Sequence, residues 1–144
     1  MFSKTESKRL RQDFWIAFGK SFPKKWILYN TKIKGLVLKF HFDLKKAMVS
    51  LDIDTDNFER RIALWEKLLS LKPILQSEDY LPEVQFDEAF ILENGKEISR
   101  IYVELHGISI HNKDTWLKTM EFFNNNMTKL EAFFLDYRDY IEIR

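Results

Sequence analysis

Apolar residues in three segments of the chain recur at the spacing of an amphipathic helix. Ser3 with Glu6 and Asp56 with Glu59 match the capping box that opens a helix, and Asn112 can cap the third segment. The predicted helices span residues 3–20, 56–73 and 112–137.

Five other segments are rich in β-branched and aromatic residues or alternate between apolar and polar positions, as strands do. Asn94-Gly95 predicts a two-residue hairpin turn between the last two, because both residues tolerate positive φ. The predicted strands span residues 26–34, 36–43, 47–54, 84–92 and 97–110. The order α-β-β-β-α-β-β-α predicts one α+β domain over residues 1–144, with a mainly antiparallel sheet of about five strands and helices on one face.

Composition narrows the class of protein. The 144 residues are 45% hydrophobic and 31% charged, which predicts a soluble globular chain rather than a disordered or membrane-spanning one. There is no Cys, and the N-terminal residues lack the apolar region of a signal peptide, so we expect a cytoplasmic protein. Aromatic residues make up 15% of the chain, mostly at inward spacings, which favours an aromatic core over a base-stacking surface.

The net charge of +1 hides a gradient along the chain. Residues 1–50 hold twelve Lys or Arg against three acidic residues, a balance of +9, whereas residues 51–144 hold eleven against nineteen, a balance of −8. Such asymmetry indicates either an anionic partner or two complementary halves that pack together. We favour complementary halves.

Alternation in the strands predicts a second, polar sheet face, which we call the polar face. The only clustered candidates for acid-base chemistry in the chain lie on this face: Asp52, Glu104, His41 and His106. The same pattern is typical of an open face with cross-strand ion pairs such as Arg100 with Asp52. The predicted polar face comprises Lys39, His41, Asp43, Ser50, Asp52, Asp54, Arg100, Tyr102, Glu104 and His106.

The sequence predicts no resident metal ion and no cofactor, since it has no zinc-finger spacing, P-loop or dinucleotide fingerprint. The order of elements does resemble the core of a large nuclease superfamily, whose third strand carries an acidic residue, one intervening position and a Lys. Here the third predicted strand ends in Asp52-Ile53-Asp54, without that Lys. Two carboxylates could still hold Mg²⁺ through water-rich coordination.

A basic segment, residues 20–46, interleaves lysines with aromatic rings, as nucleic-acid surfaces do. It contains no Arg, so it favours loose attraction to phosphates over base-specific contacts. The candidate contact residues are Lys24, Lys25, Trp26, Lys32, Lys34 and Lys39. The alternative is an ordinary solvated surface whose lysine stems cover apolar groups.

Three stretches carry a resemblance: FWIAFGK at 14–20, WILYNTKIKGLVLKF at 26–40 and ISRIYVELHGISIHNKDTW at 98–116. Together they resemble a bacterial family of unknown function, whose members occur as short stand-alone proteins and as the C-terminal part of larger nuclease-like proteins. The resemblance implies a DNA-associated or defence context and no particular mechanism.

Two hypotheses for function follow. The first, which we prefer, is a non-catalytic binding or interaction module, because no group of residues supplies a nucleophile, a base and an orienting group together. The second is a metal-dependent hydrolase of nucleic acid, with Asp52, Asp54 and Glu104 holding the metal. We expect no membrane partner, and a homodimer through the polar face or the last helix is one option for assembly.

Overall fold

A computed structural model describes residues 2–142 of the chain. Over this range four β-strands and four α-helices follow one another in an α+β arrangement. The elements are α1 (Lys4–Ser21), β1 (Leu36–Phe42), β2 (Lys46–Ile53), α2 (Phe58–Ser70), α3 (Lys72–Leu75), β3 (Gln85–Ile91), β4 (Glu97–His106) and α4 (Trp116–Ile141), with a 3₁₀ turn at Lys113–Thr115 before α4.

The strands form one antiparallel sheet in the order β1-β2-β4-β3. The prediction of an antiparallel sheet is confirmed, but the predicted count of about five strands is wrong. β2 and β4 lie at the centre, so side chains on these two strands have a neighbouring strand on both sides. Asp52 on β2 stands opposite Val37 on β1 and opposite Arg100 on β4.

The predicted strand at 26–34 is the one that does not form. Leu28 and Lys32 adopt positive φ angles of 47° and 67°, which an extended strand cannot include. The segment instead folds along the edge of β1, where the backbone carbonyl of Leu28 accepts from the amide of Leu38 at 3.0 Å. Its β-prone residues are therefore used to cover that edge and to pack on the core, because tertiary contacts override strand propensity.

The helices pack on one face of the sheet, as the sequence predicts. The alternate residues of β2 that include Val49 and Leu51 are fully buried against them. Phe14 of α1 and Phe123 of α4 meet in the same core with their ring centroids 6.0 Å apart. Most of the aromatic residues are therefore core residues, in agreement with their inward spacing.

Two predicted helix starts have different outcomes. Ser3 caps α1 as predicted, since its side-chain oxygen accepts from the amide of Glu6. α2 begins one residue later than the predicted box at Asp56, because Asn57 is the residue whose side chain accepts from the amide of Arg60. Asn and Asp are equally good N-cap residues, so the adjacent Asp56 and Asn57 compete for this position, and α2 begins after Asn57.

The β3–β4 hairpin turn differs from the predicted two-residue type. Gly95 has a φ of 86°, but Asn94 keeps a negative φ, and its side chain accepts from the amide of Lys96 instead. The amide of Gly95 donates to the carbonyl of Leu92, and the amide of Leu92 donates to the carbonyl of Lys96. This is a three-residue loop that ends in a left-handed glycine.

Candidate functional site

The polar face is organised around an ion pair between Asp52 and Arg100. Arg100 donates from Nε to Oδ1 and from Nη2 to Oδ2 of Asp52, both at 2.8 Å. The two residues face each other across β2 and β4, and only 0% and 4% of their surfaces are exposed. A paired, bidentate geometry in a desolvated place is the strongest form of carboxylate–guanidinium contact.

Phe90 covers this ion pair because β3 carries a bulge. Between Asp87 and Phe90 the register shifts, so that Phe90 rather than Ala89 stands opposite Ile98. The aromatic ring therefore lies over Arg100, with the guanidinium carbon 4.2 Å from the ring centroid. The bulge thus converts one edge of the polar face from an open surface into a covered one.

Two further side chains of β1 extend the ion pair. Lys39 Nζ lies 3.9 Å from Oδ2 of Asp52, so two cations share one carboxylate. Next to it, His41 Nε2 forms a hydrogen bond of 3.0 Å with the hydroxyl of Ser50. Burial, and then the charge of Arg100, lower the pKa of His41 from 6.5 to about 4. His41 is therefore neutral at pH 7 and adds no charge to the group.

Lys39, His41, Phe90 and Arg100 help to line a cleft of about 590 Å³ between β1, β2 and the tip of the β3–β4 hairpin, which we call the polar-face cleft. Its volume is in the usual range for small-molecule sites. Apolar groups of Met48 and of the hairpin form one part of its wall, and charged groups form the rest. The lining residues are Lys39, His41, Asp43, Lys46, Met48, Phe90, Ile91, Leu92, Glu93, Asn94 and Arg100.

The guanidinium of Arg100 presents a free edge in this setting. Of its five N–H bonds, two reach oxygen acceptors, and both of these acceptors belong to Asp52. Nη1 donates only to the thioether sulfur of Met48, at 3.7 Å, which is a weak acceptor. On the edge formed by Nη1 and Nη2, Nη1 therefore has no oxygen partner among the described residues, and the only oxygen partner of Nη2 is Asp52.

The candidate catalytic carboxylates do not meet. Asp54 binds the ammonium of Lys96 at 2.6 Å, and Glu104 lies 3.4 Å from Lys46 Nζ and 3.4 Å from His106 Nε2. Glu104 stands four residues along β4 from Arg100, which places it about 13 Å from the ion pair along the strand. Within residues 2–142 no three His, Asp or Glu side chains come together as a metal site would require.

The fold also departs from the nuclease arrangement. Because the first predicted strand is absent, Asp52 lies on the second strand of the chain and not on the third. Its carboxylate is used by Arg100 and is not exposed to solvent. The geometry gives the hydrolase hypothesis no support.

The basic segment is partly neutralised by the acidic remainder of the chain. Lys24 lies 3.5 Å from Glu131, Lys39 pairs with Asp52, and Lys46 pairs with Glu104. Trp26 is half-buried against Phe18, with Lys24 Nζ 4.4 Å from its ring centroid. These contacts agree with the interpretation that the two halves of the chain are complementary.

The remaining candidate residues of the basic segment and the polar face differ in their exposure and hydrogen bonds. Lys25, Lys32 and Lys34 are exposed. Ser50 is fully buried beneath His41, and the hydroxyl of Tyr102 donates to Gln85 at 3.3 Å. Asp43 also lines the polar-face cleft, and its side-chain Oδ1 accepts from the amides of Lys45 and Lys46 in the β1–β2 turn.

Sequence reasoning missed two contributors to this site. Met48 alternates with Ser50 and Asp52 and so stands on the polar face, but nothing in the sequence marks it as part of a cleft. Phe90 reaches Arg100 only because of the bulge, and no residue type in the segment FDEAF (86–90) predicts a bulge.

Comparison with known protein families adds one finding to this geometry. The model of the domain of unknown function DUF4268 matches residues 10–138. The chain belongs to this family. The resemblance to a family of unknown function is thereby confirmed. The match covers the whole sheet of this DUF4268 domain together with α2, α3 and most of the two long helices. No curated protein and no solved structure matches the chain. None of the described helices of this DUF4268 protein is long and apolar enough to cross a membrane.

Proposed function

We propose that this DUF4268 domain is a non-catalytic binding module, and that the polar-face cleft is its ligand site. The observation that carries the proposal is Nη1 of Arg100, a nitrogen of a buried cationic group whose only acceptor is the thioether sulfur of Met48. Buried polar groups normally have strong hydrogen-bond partners, so a guanidinium nitrogen on a cleft wall whose only acceptor is a thioether favours a ligand there.

The chemistry of the cleft supports binding over catalysis. General acid-base catalysis needs a group that exchanges protons near the working pH, whereas His41 stays neutral to about pH 4 and Asp52 is held by a guanidinium. A hydrolytic metal centre needs carboxylates that are free to coordinate, and each of the three candidates is paired with a cation.

Weak, sequence-independent attraction to nucleic acid is a second and separate property that we propose for the basic segment. The exposed lysines Lys25, Lys32 and Lys34 have no acidic partner among the described residues. Point charges on flexible stems attract phosphates without reading bases.

A cleavage and stabilisation experiment tests the binding-module proposal. Labelled DNA and RNA incubated with the protein in Mg²⁺ or Mn²⁺ should remain intact, and a panel of small molecules should contain compounds that raise the melting temperature. The stabilisation should be lost in Phe90→Ser, which opens the cleft wall, and retained in Phe58→Ser, which changes an exposed ring on α2. Cleavage that disappears in Asp52→Asn would overturn the proposal, as would stabilisation that ignores Phe90→Ser.

A further inference from the structure

The charges at the floor of the polar-face cleft do not balance. Arg100 and Lys39 carry two positive charges, Asp52 carries one negative charge, and His41 is neutral. Lys46 also lines the cleft, but Glu104 is its partner. Asp52 neutralises the buried Arg100, so the excess positive charge of the floor is that of Lys39, whose side chain is 23% exposed. An anion that contacts both Arg100 and Lys39 would balance this charge.

The shape of the free donor group limits the ligand that can supply the missing charge. A guanidinium has two edges that match a carboxylate with two parallel hydrogen bonds, and Asp52 occupies the edge formed by Nε and Nη2. The other edge, formed by Nη1 and Nη2, offers the same geometry to a second acceptor pair. Phe90 holds the guanidinium plane in position from one side, so this edge is preorganised.

The rim of the cleft selects against a more highly charged ligand. Asp43 and Glu93 both line it, and their carboxylates would repel a phosphate dianion more strongly than a monoanion. Phe90, Ile91, Leu92 and Met48 line it as well, and they offer apolar surface to whatever is attached to the anionic group. A single negative charge on an apolar body fits both features.

From these observations we infer that the polar-face cleft binds a carboxylate monoanion attached to an apolar or aromatic body, with the carboxylate on the Nη1–Nη2 edge of Arg100 and near Lys39. The inference rests on the proposed function and adds the class of ligand. The carboxylate could belong to a small organic acid or to the C-terminal residue of a peptide, and the two sources share this chemistry.

Four probes and one phosphate control test the inference on the full chain by titration calorimetry. The probes are 3-phenylpropionate, its amide, a pentapeptide that ends in phenylalanine with a free carboxylate, and the same peptide as an amide. We expect each acid to bind at least about tenfold more tightly than its amide, because hydrogen bonds to a charged group are worth more than neutral ones. Inorganic phosphate should bind more weakly than 3-phenylpropionate. The ratio of the dissociation constants of 3-phenylpropionate and the peptide acid identifies the source of the carboxylate.

A matched pair of lysine variants isolates the charge of the cleft. Lys39→Met should weaken the acids roughly fivefold, the size expected of a partly exposed ion pair, and leave the amides unchanged. Lys45→Met, in the adjacent turn and outside the cleft, should change the affinity of neither the acids nor the amides. In the unmodified protein, the ¹H–¹⁵N signal of Arg100 Nε should move with the acids, which gives a readout that needs no variant at Arg100.

The outcomes separate this inference from the proposed function. If acid and amide bind equally and both move the Arg100 signal, the cleft is a ligand site but does not select an anion, and the inference fails while the proposed function stands. If the acids bind without moving the Arg100 signal, they bind elsewhere, and the inference fails. If none of the probes binds, the inference is overturned. The melting-temperature screen with Phe90→Ser and Phe58→Ser then tests the proposed function separately.

Discussion

Asp52 and Arg100 stand directly opposite each other on the two central strands, and two hydrogen bonds of 2.8 Å join their buried side chains. A carboxylate that would be the natural metal ligand of a nuclease is therefore the counter-ion of a guanidinium. Arg100 also lines the polar-face cleft, and its Nη1 has no oxygen acceptor there.

A double-mutant cycle tests whether this pair acts as a unit. Arg100→Met should lower the free energy of unfolding by about 3–5 kcal/mol, because it removes both 2.8 Å hydrogen bonds and leaves the buried Asp52 with only Lys39 at 3.9 Å for a partner. Asp52→Leu combined with Arg100→Met should recover most of that loss, since an apolar pair of similar volume needs no charge compensation. Urea unfolding monitored by tryptophan fluorescence measures both values.

The control for this cycle is Lys46→Met. Its ion pair with Glu104 is partly exposed, so its removal should cost less than about 1 kcal/mol. Additive losses in the double variant would mean that Asp52 and Arg100 act independently, contrary to the account given for the pair.

His41 predicts a pH dependence of stability. Its pKa is about 4 in the folded chain against 6.5 in an unfolded one, so between these values the unfolded state binds the extra proton. The stability contributed by neutral His41 is complete above pH 6.5 and is lost as the pH falls towards 4. Between pH 7 and pH 5 the loss should be about 2 kcal/mol, since one pKa unit corresponds to about 1.4 kcal/mol.

Urea unfolding at pH 7 and pH 5 measures this loss for three proteins. The wild type and His106→Gln should both show it, because His106 is exposed and lies away from His41. His41→Gln should lack it. An NMR titration that puts the pKa of His41 near 6.5 would contradict the prediction.

Glu131 should anchor the segment that replaces the missing strand. Its buried carboxylate accepts from the amide of Ile27 at 2.6 Å and lies 3.5 Å from Lys24 Nζ. Glu131→Ala should therefore destabilise the fold by about 2 kcal/mol and speed hydrogen exchange at the Ile27 amide. The matched variant Glu121→Ala, at an exposed position of the same helix, should do neither. Unchanged exchange at Ile27 in Glu131→Ala would show that the segment is held by its apolar contacts alone.

Nucleic-acid affinity should depend steeply on salt but remain weak. If Lys25, Lys32 and Lys34 are the contact residues, the logarithmic slope on duplex DNA should be about −2.7, at roughly −0.9 for each phosphate neutralised. A fluorescence titration at several salt concentrations gives the slope. Tight binding that survives high salt, or discrimination between sequences, would show that the basic segment reads nucleic acid specifically.

The spacing of apolar residues along the chain predicted most of the fold, because this spacing determines which face of a helix or strand packs in the core. The alternation of apolar residues that includes Val49 and Leu51 sets the face of β2 that packs against the helices, and it also predicts Asp52 opposite a basic partner on β4. The strand at 26–34 failed because Leu28 and Lys32 adopt positive φ, in a segment whose Ile27 amide donates to Glu131, a residue distant in the sequence.

The cleft was harder to predict than the ion pair within it. Asp52 and Arg100 follow from periodicity, whereas the cover provided by Phe90 depends on a single extra residue in β3. A bulge shifts every later side chain to the other face, and sequence periodicity alone does not reveal where it falls. The polar face was therefore expected to be open, and the structure instead buries Met48, Ser50 and Asp52.

The central claim, that the polar-face cleft is the ligand site, is tested most directly by the methyl groups of methionine. Met48 lines the cleft, whereas Met120 and Met127 lie in the core on the helical side of the sheet and serve as controls within the same molecule. In protein labelled with ¹³C at the methionine methyl groups, a panel of small acids and amides should shift the Met48 signal with saturation and leave those of Met120 and Met127 in place. Ligand binding that leaves the Met48 signal unmoved, or that moves all three alike, would contradict the account.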